Sequence, residues 1–336
     1  MIRLPRRSLL LTFALAVAAC VGGPPATPVG AEPLPLEIRS TAMPFKIDDP
    51  APKKIGKLIW RGGISLLANS RHFGGWSDLV VSPDNRSLTA ISDVGGWLTA
   101  TIERDAKGDL VGLGDGRIGP LRDLAGRQLV GKQESDAEGM ALMPDGSWLV
   151  SFEGEHRIWH YPTLEATPRA LNVPGNFDRQ PDNGGVEAIT VLPDGRIVAL
   201  SESYVIRPGL GIGWIGKPLG GDRYLWDMFE YKKAPNFSPT AIRLMPDGAF
   251  VVLERAFDFV RGVRVRVMRF PGEDLRVDAV IEPEELAKLA SPYAVDNLEG
   301  ISATTGARGE TLLWLMSDDN FNPLQRNLLL LFEIEK

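Results

Sequence analysis

The chain has 336 residues, 24% of them charged, with 37 basic against 43 acidic side chains and a formal charge of −6. This acidic balance argues against a general binder of nucleic acid or anionic lipid, and it is compatible with binding metal ions or cationic groups. A single cysteine excludes an intramolecular disulfide, so stability rests on the core, for which the chain is long enough.

In chain order, Arg3, Arg6 and Arg7 precede an apolar run from Leu9 to Ala19. That run is too short to span a bilayer and reads as a signal-peptide core. It ends in Val17-Ala18-Ala19-Cys20, which resembles the lipobox of bacterial lipoproteins and predicts lipid attachment at Cys20; the alternative is an ordinary cleavage site with an incidental cysteine. Arg6-Arg7-Ser8-Leu9-Leu10 partly matches a twin-arginine export signal. The expectation is an exported, periplasmic protein that touches the membrane through its lipid anchor only. Removing residues 1–19 leaves 34 basic against 43 acidic side chains, a charge of −9. Residues 20–52 follow, with prolines at 24, 25, 28, 33, 35, 44, 50 and 52, a spacing that disfavours helix and central strand alike and predicts an extended tether. Residues 53–336 are then the folded domain.

That domain repeats itself. Glu138-Gly139-Met140-Ala141-Leu142-Met143-Pro144-Asp145-Gly146 continues into Trp148–Glu153, and Glu187–Gly195 continues into Ile197–Glu202. Thr240–Gly248 with Phe250–Glu254, Ser77–Asn85 with Ala90–Asp93, and Glu299-Gly300-Ile301 with Leu315–Asp319 (joined by a longer turn) complete five copies. Each is an apolar strand, a turn and a second apolar strand ending in an acidic residue. Pro-Asp-Gly is turn chemistry, with proline presetting φ and glycine accepting positive φ. Runs of five to seven residues rich in Val, Ile, Leu and Phe suit strands. The predicted fold is all-β, a β-propeller with six blades favoured and five or seven also compatible, its extra blade assembled from residues 57–68 and 326–334. A sandwich has no reason to repeat one signature, and a solenoid repeats more regularly. The one helix of note is predicted at Pro283–Leu289, as a loop insertion.

The segments Gly62-Gly63-Ile64-Ser65-Leu66-Leu67, the two Pro-Asp-Gly units opening on Glu138 and Glu187, Pro181-Asp182-Asn183-Gly184-Gly185-Val186-Glu187, Leu253-Glu254-Arg255 and Asn297-Leu298-Glu299-Gly300 before Ser317-Asp318-Asp319-Asn320 resemble the bacterial phytase-like proteins described as having esterase-like activity. The resemblance spans residues 57–334 and implies a phosphoester or ester hydrolase without fixing the substrate. A weaker resemblance to sugar-lactone hydrolases, which also place Glu-Gly at blade starts, permits lactone opening instead.

Glu138, Glu187 and Glu299 hold the same place in three repeats, so a propeller would rotate them toward one channel mouth. Asp136 and Asn297 precede two of them by two residues, and a ring of such oxygens suits a hard cation such as calcium. A second recurrent set, Asp93, Glu153, Glu202, Glu254 and Asp318, ends the second strands. The competing reading makes each carboxylate a turn cap. Arg255 follows Glu254 and is a candidate phosphate contact. Arg264 and Arg266 alternate with Val263, Val265 and Val267, which gives either a solvated blade face or an anion site. Gly211-Ile212-Gly213-Trp214-Ile215-Gly216 is not a dinucleotide loop, because Pro218 and Gly220-Gly221 stand where its helix would begin. A serine–histidine triad is unsupported with only His72, His156 and His160 present, although His72 keeps a place open.

Three readings follow. Glu187, Glu138, Glu299 and Arg255 form the catalytic set of a calcium-assisted hydrolase, with Asp136, Asn297, Asp93 and Asp318 among the metal ligands. Alternatively the domain is a non-catalytic envelope propeller that binds a partner, or a lactone hydrolase. The partner expected is a small phosphoester or ester, and the protein is expected to be a monomer.

Overall fold

The computed structural model describes residues 32–49 and 53–335, whose strands form five sheets arranged as propeller blades. The leader, Cys20 and residues 21–31 and 50–52 of the predicted tether lie outside the described residues. The innermost strands are Trp76–Val81, Ala137–Leu142, Val186–Val191, Ser238–Leu244 and Asn297–Thr305, in blades 1 to 5, and each packs on the next around a closed ring. All five begin at the recurrent signature.

Five blades replace the favoured six. The two chain ends do pair, but Asn327–Ile334 and Leu58–Ala68 supply the third and fourth strands of blade 5, beside Thr311–Asp318. Blade 3 takes up chain length in long strands, Ile197–Arg207, Leu210–Gly220 and Arg223–Lys232. Joining the first and last strands in one sheet closes the ring and hides their edges.

Apolar packing follows the same five-fold division. The buried side chains fall into five clusters, one at each junction between blades: Leu298 and Leu313 meet Ala241 and Leu253 between blades 5 and 4, for example. Burial of Trp76, Trp214 and Trp314 anchors these junctions. The turns behave as their residues require, with Gly146, Gly195 and Gly248 at φ of 88°, 82° and 83° and Asn85 at 58°. Blade 5 closes with the same hydrogen-bond pair through Gly306 and Gly309, so its expected longer turn is a longer strand.

Two other expectations change. Glu284–Ala290 is the outer strand of blade 4 and not a helix. Its carboxylates Glu284 and Glu285 pair with Arg269 and Arg266 of the neighbouring strand, and this cross-strand pairing overrides local helix preference. Inside the predicted tether, Leu34–Leu36 and Ile38–Ala42 are edge strands on blades 1 and 5. Pro35 is tolerated there because an edge leaves one side of the strand unpaired.

Candidate functional site at the propeller mouth

One backbone irregularity recurs in every blade. Ladder register skips Ser77, Glu138, Glu187, Thr240 and Glu299, so each innermost strand carries a β-bulge at the signature position. Bulges re-aim side chains and here do so at the same height in every blade. Glycine after glutamate has a steric reason. A Cβ on Gly139 would strike the Glu187 carbonyl oxygen of blade 3, and one on Gly300 would reach the Asp78 Cα of blade 1. Adjacent inner strands approach this closely only where the residue is small.

Pairing also corrects the second recurrent set. Ser92, Phe152, Ser201, Glu254 and Ser317 occupy equivalent ladder positions, so the residues that follow them are Asp93, Glu153, Glu202, Arg255 and Asp318. Arg255, not Glu254, is therefore the fourth blade's contribution. Glu254 is fully buried behind the mouth, accepting from the Tyr231 hydroxyl at 3.0 Å and from Arg266 at 2.8 Å. Arg264 and Arg266 are held by Asp258 and by Glu254 and Glu285, so neither the solvated face nor an open anion site describes them.

The mouth crowds like charges. Burial raises Glu138 and Glu187 well above the ordinary carboxylate range. Asp136 and Glu153 push Glu138 further up, as Glu202 and Glu153 do Glu187, and Glu299 adds to both. Burial lifts Glu153 to about 7 despite hydrogen bonds from the Gly184 and Gly185 N–H groups. Asp93 also rises to about 7 through burial, opposed by Lys132 and reinforced by Asp136 and Glu299. Asp318 goes up by burial beside Glu299 and Asp93. Among the described residues, no protein donor reaches the carboxylates of Glu138 or Glu187 within hydrogen-bond distance. Their oxygens are open to water, an ion or a substrate.

The remaining members are tied down. Arg255 lies 3.2 Å from Glu299 and 3.8 Å from Glu202 and donates to Asn297 Oδ1, while Asn297 Nδ2 donates to Glu299 at 2.7 Å. Asn297 thus orients two charged partners, one through each end of its amide. Oxygens of Asp136, Glu138 and Glu153 lie within 4.8 Å of one another, a donor set fit for a hard cation. Asp93 Oδ1 is buried without a partner. Lys132, which no motif marked, sits 2.9 Å from Asp136 and 3.9 Å from Asp93 and partly offsets the charge.

The Pro181–Glu187 segment now has a mechanical explanation. Gly184 and Gly185 present their N–H groups to Glu153, and a side chain on Gly184 would strike Ser203. Deeper along the inner strands, Arg243 of blade 4 crosses to Asp78 of blade 1 at 2.7 Å and donates to the carbonyls of Leu79, Ile189 and Ile242. Asp78 also accepts from the Leu79 and Met140 N–H groups, although burial still raises it to about 6. This pair ties blades 1 to 4 together below the mouth.

On the opposite face His160 lies 2.6 Å from both Asp222 and Ser147. The Ser147 hydroxyl is also 2.5 Å from Asp145 Oδ1, which takes its proton and leaves His160 none to accept from it. A nucleophilic triad remains unsupported. His72 lies in the loop before blade 1, its backbone N–H donating to Ser70.

A family model described as "Phytase-like: Esterase-like activity of phytase" matches residues 71–321, and the chain belongs to this family. No curated protein matches. Among solved structures, a protein of unknown function from Dyadobacter fermentans DSM 18053 is 12% identical, covering 91% of this chain and 95% of its own, with a TM-score of 0.44. A nidogen/laminin complex chain is 10% identical over 79% and 86%, TM-score 0.40, and a glucose dehydrogenase 14% identical over 88% and 95%, TM-score 0.36.

Proposed function

We propose that the mouth is the active site of a divalent-cation-assisted hydrolase of phosphoesters or esters, acting outside the cytoplasm. One observation carries this reading: Glu138 and Glu187 are buried and raised by their neighbours, yet accept no hydrogen bond from the described residues. Structural carboxylates at such depth are normally paired, and perturbed groups cluster at functional sites. Asp136, Glu138 and Glu153 would hold calcium, and Asp93 supplies a further unpartnered oxygen. Calcium, when bound, offsets the carboxylates' repulsion of an anionic substrate and polarises its phosphorus or carbonyl centre.

Glu187, which no donor among the described residues holds, would take a proton from an attacking water, its raised affinity for protons making it the stronger base. Arg255, fixed by Asn297 and Glu299, presents its guanidinium to an anionic oxygen of the substrate. The test is calcium-dependent release of phosphate from phytate, or turnover of a simple aryl ester, by wild type and Glu187→Gln. Wild-type turnover lost at least a hundredfold in a folded variant supports the reading. Equal turnover in both sinks it.

A non-catalytic cation-binding propeller is the second reading, favoured by how fully Glu299 and Glu202 already counter Arg255. Calcium binding without turnover of either substrate class would favour it.

A further inference from the structure

Hairpins of three successive blades stand above the mouth and end in exposed apolar side chains. The blade 4 strand Phe250–Asp258 runs past Arg255 into a tip where Phe257, Phe259 and Val260 are 51%, 79% and 93% exposed. The two rings meet edge to face at 5.4 Å, forming one apolar knob. In blade 3 the strand bearing Glu202 continues to exposed Val205 and Ile206, and in blade 5 the loop after Asp318 carries Leu324, 89% exposed. Side chains this exposed contribute nothing to the core, and clustering on one face marks an interaction surface.

The occupant follows from shape and chain path. Apolar side chains carried on hairpin tips of three different blades suit a fluid, deformable surface better than a rigid protein partner. Exposed Arg261 flanks the apolar tip, an arrangement of apolar point and cationic shoulder that fits a lipid–water interface. The chain also enters the propeller on this side. Leu34 pairs with Ile118, near the mouth end of its strand, and Glu32 lies 3.9 Å from Arg122 beyond that end. Cys20 lies twelve positions before Glu32, a reach of at most about 40 Å. An anchor at Cys20 would therefore leave this face within reach of the membrane.

We propose that the hairpin tips of blades 3, 4 and 5 dip into the membrane interface and turn the acidic mouth toward the bilayer, a contact additional to any lipid anchor. Net negative charge opposes anionic lipid, so insertion of the tips, rather than electrostatic attraction, drives the contact.

The test uses the full chain as its Cys20→Ser form, which cannot be lipidated, in sedimentation with phosphatidylcholine vesicles. The protein is expected to sediment with them, and adding anionic lipid is expected to weaken the association. Replacing Phe257, Phe259 and Val260 together by Ser should lower the partition coefficient at least tenfold with Tm unchanged, whereas Glu187→Gln should leave partition unchanged. Failure of the parent to sediment, or equal partition of the triple variant, overturns the proposal. So does a dimer that the triple variant converts to monomer without vesicles, because the tips would then be a self-interface. Neither hydrolysis nor calcium enters these readouts.

Discussion

Two clusters of charge lie on the same ring of inner strands, Asp78 and Arg243 in blades 1 and 4 and Glu138 and Glu187 in blades 2 and 3, and are treated oppositely by the fold. The Asp78–Arg243 pair has a direct ion pair, backbone donors for the acid and three carbonyl acceptors for the base. A little nearer the mouth, Glu138 and Glu187 are almost as deeply buried but have no such partners. The first cluster holds four blades in place. The second leaves proton and ligand affinity unspent, which is the property an active site needs.

The comparison breaks most sharply at Asp78. Asp78→Ala strands Arg243 in the channel, and removing one partner of a buried pair costs about 3–5 kcal/mol. Urea denaturation should show that loss directly. Next comes the close approach that lets the mouth form. Gly139→Ala places a methyl against the Glu187 carbonyl, for an expected cost of about 1–3 kcal/mol from overpacking. It should also weaken calcium binding, because the strand bearing Glu187 must shift.

The pH response has the same sign in both clusters, since burial raises Asp78 as well, and it is larger at the mouth. Glu153 and Asp93 have folded-state values of about 7 against ordinary values of 4.5 and 3.8. Between those limits the folded chain holds protons that the unfolded chain has released. Their contribution is thus fully present below about pH 4 and is lost as pH rises through 7. In chelator, Tm should fall between pH 5 and 8, by an amount equivalent to on the order of 2 kcal/mol, and calcium should reverse the fall mainly at the upper end. The smallest effect has the opposite direction. Glu187→Gln replaces a carboxyl whose ionised form burial and its neighbours disfavour, so the ion-free protein at pH 7.5 should be unchanged or up to about 1 kcal/mol more stable. Asp78 and Glu187 substitutions would then move Tm in opposite directions in the same thermal scan.

Much of this was legible from residues alone. The five starts at 77, 138, 187, 240 and 299 are the five inner strands, and the three glutamates do meet. What stayed hidden depended on pairing. Leu253-Glu254-Arg255 can be aligned with Leu200-Ser201-Glu202 only once the bulge fixes the ladder, and the slip by one residue exchanged Glu254 for Arg255. The blade count depended on the paired chain ends joining the sheet of the fifth repeat instead of forming one of their own, a long-range contact without a local signature. Glu284–Ala290 has helix-forming residues but is held as a strand by its neighbour. Lys132 and the Gly184–Gly185 donors belong to no repeat, so nothing marked them before the loops were placed.

The most direct test of the central claim is a calorimetric titration of calcium into chelator-stripped protein at pH 7.5, comparing wild type with the Glu138→Gln/Glu187→Gln double variant. Saturable binding by wild type, with an observed heat that varies with buffer ionisation heat because protons are released, and its loss in a folded double variant are predicted. Absence of binding to wild type, or equal binding by the double variant, would contradict the assignment of the mouth as a cation-dependent site.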